Sequence, residues 1–192
     1  MSTEVSIYEY ARQSLNCSPN STAIWFYGRR FSFRELFRRI DHAASHLYAM
    51  DVREGTVVTI HLPNCPQAII AIYAVAKLGG ICNMVHAQMP KLALVENMKF
   101  TESALLITYS EECMAAAPKT IYVDLSYHMG GISRASYRLR TKRKNCGKTA
   151  SFEKMECEYQ GKVQFPKQED LASKCAFYLN SSGTMGEPKT AM

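Results

Sequence analysis

The stretch Thr56–Val85 reads TVVTIHLPNCPQAIIAIYAVAKLGGICNMV, and its pattern changes from strand to helix and back to strand. Its opening residues, TVVTIHL, are mostly β-branched or apolar, which is typical of a strand buried on both faces. Pro66 suits the first turn of the following helix, and Gly79–Gly80 marks its carboxyl end. A second strand is predicted over Ile81–Val85. This order predicts a parallel βαβ unit with a right-handed crossover.

The same alternation continues beyond this unit. We expect a helix over 90–100, a strand over 104–108, a short helix over 111–117 and a strand over 120–125. A further strand is predicted over 175–179, directly before a loop rich in glycine and serine. The sequence therefore predicts an α/β fold with a largely parallel sheet flanked by helices.

A hairpin and a helix are predicted ahead of this sheet. Two short strands, 23–27 and 30–32, flank a turn at Gly28–Arg29. Ser32 and Glu35 have the spacing of a capping box, which opens a helix. Six apolar residues of that helix recur at the helical period and define a face to be buried: Leu36, Phe37, Ile40, Ala43, Ala44 and Leu47.

The composition is that of a soluble globular protein, because 47% of the 192 residues are hydrophobic and 21% are charged. The longest apolar run, Ala68–Ala76, is far shorter than the roughly 20 residues of a membrane-spanning helix, so no transmembrane segment is predicted. Met1–Asn16 lacks the apolar core of a leader peptide. The 7 cysteines include no Cys-x-x-Cys pair and favour free thiols in a reducing compartment, so we predict a cytoplasmic location.

The net charge of +6 comes from one segment, Arg134–Lys148, which holds seven basic residues and no acidic one. The rest of the chain has 16 basic and 17 acidic residues. Such a run can contact nucleic acid or acidic lipid headgroups. Because Tyr137 is its one aromatic residue, a solvated surface is favoured. We therefore predict a surface excursion over 130–168 and no nucleic-acid partner.

The histidines and cysteines give no metal site in the sequence. His42 and His46 have the i, i+4 spacing that zinc uses on a helix, but no third ligand accompanies them, so helix-surface positions are favoured. His86 and His128 have no partner that the sequence identifies. Cys65 follows a predicted strand without a neighbouring His or Lys to activate it, which favours a structural role.

The loop after the last predicted strand carries the functional signal, and it reads NSSGTMGEPK over Asn180–Lys189. Gly183 and Gly186 allow backbone conformations that turn successive N–H groups toward an anion. The hydroxyl groups and the lysine add donors for phosphate oxygens. A P-loop needs Gly-x-x-x-x-Gly-Lys-Ser/Thr, and Pro188 stands at its second glycine, so a P-loop NTPase is excluded. An ordinary turn between strands stays open on composition alone.

The loop resembles the signature of adenylate-forming enzymes, a superfamily of acyl-CoA synthetases, adenylation domains and luciferases. That signature is Ser/Thr-Ser/Thr-Gly-Ser/Thr-Thr-Gly-x-Pro-Lys-Gly, and this chain has SSGTMGEPKT over Ser181–Thr190. Three departures are Met185 in place of threonine, Thr190 in place of glycine, and no Asn-Pro dipeptide in 83–88. Four further landmarks precede the loop in the family's order: FSFREL at Phe31–Leu36, LPNCP at Leu62–Pro66, AKLGG at Ala76–Gly80 and EDLA at Glu169–Ala172.

The resemblance implies a domain and a set of binding residues. The chain would be a partial N-terminal AMP-binding domain over 1–192, cut just after the phosphate-binding loop, and most like the opening of a fatty acid–CoA ligase. No catalytic residue and no metal ligand is assigned in this segment. Seven residues would hold the outer phosphates of ATP: Ser181, Ser182, Gly183, Thr184, Met185, Gly186 and Lys189.

The resemblance also implies a two-step reaction. A carboxylate is joined to the α-phosphate of ATP in the presence of Mg²⁺, pyrophosphate leaves, and the thiol of coenzyme A then attacks the acyl-adenylate. The family's acyl pocket and its other nucleotide-binding residues follow the phosphate loop, so this chain is predicted to be inactive by itself. The alternative is a non-catalytic remnant or nucleotide-binding module derived from the family. These residues do not identify the carboxylic acid.

Overall fold

The structure is a computed structural model that describes residues 5–141, 150–161, 165, 171–181 and 189–191. Its strands are β1 (Thr22–Phe26), β2 (Arg29–Ser32), β3 (Val57–His61), β4 (Ile81–Met84), β5 (Leu105–Thr108), β6 (Thr120–Tyr122), β7 (Ala150–Ser151), β8 (Phe177–Ser181) and β9 (Lys189–Ala191). Its α-helices are α1 (Ile7–Cys17), α2 (Phe33–Ala49), α3 (Pro66–Lys77), α4 (Lys91–Phe100), α5 (Gly131–Arg140) and α6 (Phe152–Cys157).

Seven of these strands form one sheet in the order β7-β6-β5-β3-β4-β8-β9, and β1 and β2 form a separate hairpin. Neighbouring strands from β7 to β8 run parallel, whereas β9 runs antiparallel to β8. The central strand β3 is buried along its whole length, as its continuous apolar sequence requires. The predicted α/β fold with a largely parallel sheet is confirmed.

Helices cover both faces of the sheet. On one face α2 and α3 pack against each other and against Val58, Ile60 and Ile107, which point the same way from their strands. On the other face Leu94 and Met98 of α4 pack against Leu106 of β5. The alternation of side chains along β5 explains this division, because successive residues of a strand point to opposite faces. All six apolar residues predicted for the inner face of α2 are buried.

The hairpin turn lies one residue earlier than the sequence predicts. Phe26 pairs with Arg29, so Tyr27 and Gly28 are the two central residues of the turn. Their φ angles are 43° and 81°. A two-residue turn between twisted antiparallel strands favours left-handed conformations at both positions, and Gly28 adopts one without steric cost.

The helix caps differ in part from the prediction. The Ser32 side chain accepts a hydrogen bond from the Glu35 N–H at 3.2 Å, which is one half of the predicted capping box. The Glu35 carboxylate turns away and pairs with Arg39 at 3.0 Å. A complete capping box joins Ser6 and Glu9 at the start of α1, a helix that the sequence analysis did not identify.

Two predictions for the segments that follow β5 and β6 need correction. The short helix expected over 111–117 is a single 3-10 turn, Met114–Ala116. In its described part, the stretch 130–168 is only partly a surface excursion: α5 has no buried residue, but α6 contacts α2 and buries Phe152 and Met155. The spacing of two apolar residues in so short a helix is too weak a sequence signal to reveal this burial. Residues 142–149, 162–164 and 166–168 of this prediction lie outside the described residues. Within the described residues, no helix has the length and apolar character to cross a bilayer.

Candidate functional site

The carboxyl ends of the parallel strands β3, β4, β5, β6 and β8 lie along one edge of the sheet. In open α/β sheets ligands bind in the crevice outside this edge, because the loops that leave the strands meet there. The predicted phosphate loop follows β8 and therefore starts at this edge. The sequence-predicted site thus lies where the topology makes a ligand site possible.

Strands β8 and β9 close the predicted loop at its base. Ser181, the last residue of β8, pairs with Lys189, the first residue of β9, and Asn180 pairs with Thr190. The structure thus brings together the first and the last of the seven predicted binding residues. The other five lie outside the described residues: Ser182, Gly183, Thr184, Met185 and Gly186.

The strand that leads into the loop is held firmly on the core. Cys82 of β4 is the register partner of Phe177, and its N–H donates to the Ala176 carbonyl at 2.9 Å. Phe177 is half-buried and packs against the main core. Upstream, the Lys174 ammonium pairs with the Glu54 carboxylate at 2.9 Å. These contacts fix the position from which the loop departs.

The turn after β3 contains the LPNCP landmark. Cys65 is the residue before α3, its carbonyl accepts the Ala68 N–H at 3.1 Å, and Pro66 occupies the first helical turn as predicted. Burial raises the pKa of the Cys65 thiol to about 11. The thiol is therefore protonated at neutral pH, and only a thiolate is a strong nucleophile. The LPNCP landmark therefore has a structural role at the start of α3.

A cavity of about 360 Å³ opens at the carboxyl ends of β5 and β6. Tyr109, Tyr122 and Tyr137 line it together with Asp124 and Arg138. The Arg138 guanidinium pairs with the Asp124 carboxylate at 3.5 Å. The sequence analysis did not find this cavity, because its residues come from the end of β6, from the segments that follow β5 and β6, and from α5, and share no local motif.

His128 has a partner that the sequence could not identify. Its Nε2 lies 2.7 Å from Oε1 of Glu156, and both side chains are fully buried. Arg39 of α2 contacts the same carboxylate at 3.3 Å. Burial lowers the pKa of His128, although the hydrogen bond and the charge of Glu156 act in the opposite direction. The two residues are 28 positions apart in the sequence, so no local pattern predicts their contact.

Metal ligands are not gathered within the described ranges, where no group of three His, Cys, Asp or Glu side chains is placed to hold an ion. His42 packs against the Tyr159 ring, with ring centroids 5.8 Å apart. His46 Nε2 lies 2.9 Å from the Glu158 carbonyl oxygen. The two histidines that have zinc-like spacing thus make structural contacts to the segment after α6.

A sequence model of the family described as AMP-binding enzyme matches residues 11–192. The chain belongs to the AMP-binding enzyme family. Among curated proteins, this AMP-binding chain is similar to the crotonobetaine/carnitine–CoA ligase of Escherichia coli. The two are 27% identical over 111 residues, which are 58% of this chain and 19% of the ligase. The chain therefore spans about a fifth of the length of the curated relatives that it matches.

Solved structures of adenylate-forming enzymes share the fold of this AMP-binding chain. The anthranilate CoA ligase AuaEII in complex with anthranoyl-AMP gives a TM-score of 0.79 at 14% identity, covering 99% of this chain and 35% of that one. The O-succinylbenzoate coenzyme A synthetase MenE of Bacillus subtilis in complex with AMP gives a TM-score of 0.67 at 19% identity. That match covers 98% of this chain and 42% of MenE. These structures show the shared fold, and the family match over residues 11–192 confirms the resemblance to adenylate-forming enzymes.

Proposed function

We propose that this chain supplies the phosphate-binding part of an ATP-dependent, AMP-forming carboxylate–CoA ligase. The observation that carries the proposal is the position of the family's loop within the fold. Its two ends, Ser181 and Lys189, are register partners at the carboxyl edge of the parallel sheet. The match to AMP-binding enzymes over 11–192 and the CoA ligases among the relatives support the same reading.

The loop residues bind the outer phosphates of ATP. Gly183 and Gly186 let backbone N–H groups converge on phosphate oxygens, and Ser181, Ser182 and Thr184 donate hydroxyl hydrogen bonds. Lys189 places a positive charge beside the β- and γ-phosphates. Mg²⁺, when bound, offsets the remaining phosphate charge. Together these groups orient ATP so that its α-phosphate is open to a carboxylate.

We take fatty acids as the first substrates to test, on the resemblance to fatty acid–CoA ligases alone, and coenzyme A as the acceptor of the acyl group. The curated relative acts on crotonobetaine or carnitine, as its name states, so short polar acids are the first alternative to test. We place the reaction in the cytoplasm, since the odd number of cysteines favours a reducing compartment. A nucleotide-binding module without ligase activity is the second candidate, because the loop Ser181–Lys189 would bind phosphate with or without a following acyl transfer.

Calorimetric titration of the 192-residue chain with MgATP tests the proposal. The wild-type chain should bind MgATP, and Lys189→Ala should weaken binding by about tenfold, because a hydrogen bond to a charged group contributes roughly 1.5–3 kcal/mol. Lys119→Ala is the matched control. Lys119 directly precedes β6 and therefore lies at the amino ends of the parallel strands, away from the carboxyl ends where the loop begins. Its affinity should equal that of the wild type.

Two results would overturn the assignment of the loop. One is a wild-type chain that does not bind MgATP, and the other is equal affinity in the wild type and Lys189→Ala. Binding without any carboxylate-dependent chemistry, when the sequence is tested in its longest natural form, would favour the nucleotide-binding module over the ligase.

A further inference from the structure

Among the described residues, helix α5 contacts the rest of the protein through one face. The Arg134 guanidinium lies over the Tyr127 ring at 5.7 Å, and Arg138 pairs with Asp124 at 3.5 Å. Tyr137, between them on the same side of the helix, is half-buried and lines the cavity at the end of β6. At the start of α5, the Gly130 N–H donates to the Tyr27 carbonyl at 2.9 Å. These contacts fix both the position and the rotation of the helix.

The opposite face of α5 is apolar and faces outward. Ile132 is 91% exposed and Leu139 is 88% exposed, and Ala135 is exposed between them. At about 100° per residue, these three side chains fall within roughly 60° of one another around the helix. Arg134 lies on the side of the helix that contacts the protein, about 140° around the axis from Leu139 and about 160° from Ile132. The exposed stripe therefore results from the way α5 is anchored.

Basic charge borders this stripe. Arg140 is exposed at the end of α5, and the Arg138 side chain is 44% exposed. The sequence has no acidic residue between Arg134 and Lys148. At the other end of the helix, the hairpin turn bound to Gly130 presents Tyr27, which is 61% exposed. Apolar side chains flanked by Arg and Tyr are the combination found at the boundary between water and lipid.

We propose that the α5 surface, defined as Ile132, Ala135, Leu139 and Arg140, docks onto an anionic phospholipid bilayer. The helix lies in the plane of the interface, with Ile132 and Leu139 among the acyl chains and Arg140 beside the headgroup phosphates. Nucleic acid would satisfy the basic residues but would leave the two large apolar side chains in water. The proposal rests on α5 alone and is independent of the proposed ligase function.

Co-sedimentation with vesicles tests this proposal. The 192-residue chain should bind vesicles of equal parts phosphatidylcholine and phosphatidylserine, and should bind pure phosphatidylcholine far less. The double variant Ile132→Asn/Leu139→Asn should lower the partition coefficient by about tenfold or more, since each buried side chain of this size contributes strongly. Arg140→Ala should lower it by about fivefold, and only on anionic vesicles.

The matched control is Leu92→Asn, because Leu92 is 79% exposed on α4 and carries no neighbouring basic cluster in the sequence. It should bind vesicles like the wild type, and circular dichroism should show the same helix content in all variants. Failure of the wild type to bind anionic vesicles would overturn the proposal. So would equal binding by the double variant, or a dimer that the double variant converts to a monomer, since a second copy would then cover the stripe.

Discussion

Ser181 and Lys189 lie opposite each other in the antiparallel pair of β8 and β9. Ser181 is the last residue of a parallel strand that continues the βαβ sheet, whereas Lys189 begins the strand that reverses direction at the sheet edge. The two residues that flank the segment 182–188 therefore lie at the same point of the fold. In the proposed function this pairing would favour phosphate binding, because a segment held at both ends loses less freedom when it closes around an anion.

The 192-residue chain by itself should not activate any carboxylic acid. Its matched region corresponds to 19% of the curated ligase, and adenylation requires all catalytic groups to be positioned together. Carboxylate-dependent exchange of pyrophosphate into ATP should stay at the level of a protein-free blank, with fatty, aromatic and short polar acids alike. Exchange clearly above the blank with any of these acids would contradict the prediction.

In a longer chain that contains this sequence and forms an acyl-adenylate, Lys189→Ala should slow adenylation by about tenfold or more. The lysine charge stabilises phosphate charge in the transition state, and each tenfold loss corresponds to about 1.4 kcal/mol. Single-turnover measurement of acyl-adenylate formation checks this, with Lys119→Ala as the control. An unchanged rate in Lys189→Ala would remove the loop from the mechanism.

Glu156→Ala should destabilise the fold by about 3 kcal/mol, because removing one member of a buried ion pair leaves its partners uncompensated. Glu156 is fully buried and contacts both Arg39 and His128. Urea unfolding monitored by circular dichroism measures the change. Glu158→Ala is the matched control, since Glu158 is exposed two positions along the chain, and its effect should be within about 0.5 kcal/mol. Equal effects of the two changes would contradict the prediction.

Acid should destabilise the chain through His128. Burial lowers its pKa below the ordinary value of 6.5, even though Glu156 raises it and Arg39 and Arg29 lower it further. Below about pH 6.5 the unfolded chain therefore binds more protons at this position than the native chain, so the free energy of unfolding falls as the pH falls.

His128→Gln removes this contribution and should lose less stability than the wild type between neutral pH and about pH 5. The comparison is needed because burial also lowers the pKa of His61 and raises that of Glu153. The contributions of His61 and Glu153 are the same in the wild type and in His128→Gln, so they cancel when the two pH dependences of unfolding are subtracted. Identical pH dependence of unfolding in wild type and His128→Gln would show that His128 does not titrate with folding.

Gly80→Ala should destabilise the chain by about 1–3 kcal/mol, the usual cost of overpacking. A Cβ atom at Gly80 would lie 2.9 Å from Val75 Cγ1 and 3.0 Å from the Thr56 carbonyl oxygen, and the latter belongs to backbone beside the central strand. Gly131→Ala is the matched control, because a Cβ there meets no atom within 4 Å. It should be neutral or slightly stabilising. Urea unfolding midpoints should separate the two variants clearly.

The regular elements of the sheet were predictable from sequence because their signals are local. The strand predicted over 56–62 is β3, the helix from Pro66 is α3, and the strand predicted over 81–85 is β4. A strand that is buried on both faces must be apolar throughout, and Pro and Gly mark helix ends through their own backbone limits. The position of the loop directly after a strand was predictable for the same reason.

Helix α1 and the burial of α6 were missed for a different reason. Helix α1 does carry local signals, namely the capping box of Ser6 and Glu9 and the helical spacing of Tyr8, Ala11 and Leu15, but these signals do not show what the helix packs against. Its stability comes from contacts to other helices: the Tyr8 hydroxyl donates to Asp41 of α2 at 2.9 Å, and Lys77 of α3 pairs with the same carboxylate at 2.7 Å. Interactions between residues far apart in sequence leave no local pattern.

The sequence by itself determined the alternation of strands and helices, the apolar face of α2 and the ten-residue signature Ser181–Thr190, since each depends on neighbouring residues. Only the tertiary structure decided which distant residues meet: Ser181 and Lys189 as backbone register partners of β8 and β9, and the side chains of His128 and Glu156 in the core. It also decided that Ile132 and Leu139 face outward. Chain topology sets such contacts, because burial and pairing depend on segments that are distant in sequence and adjacent only after folding.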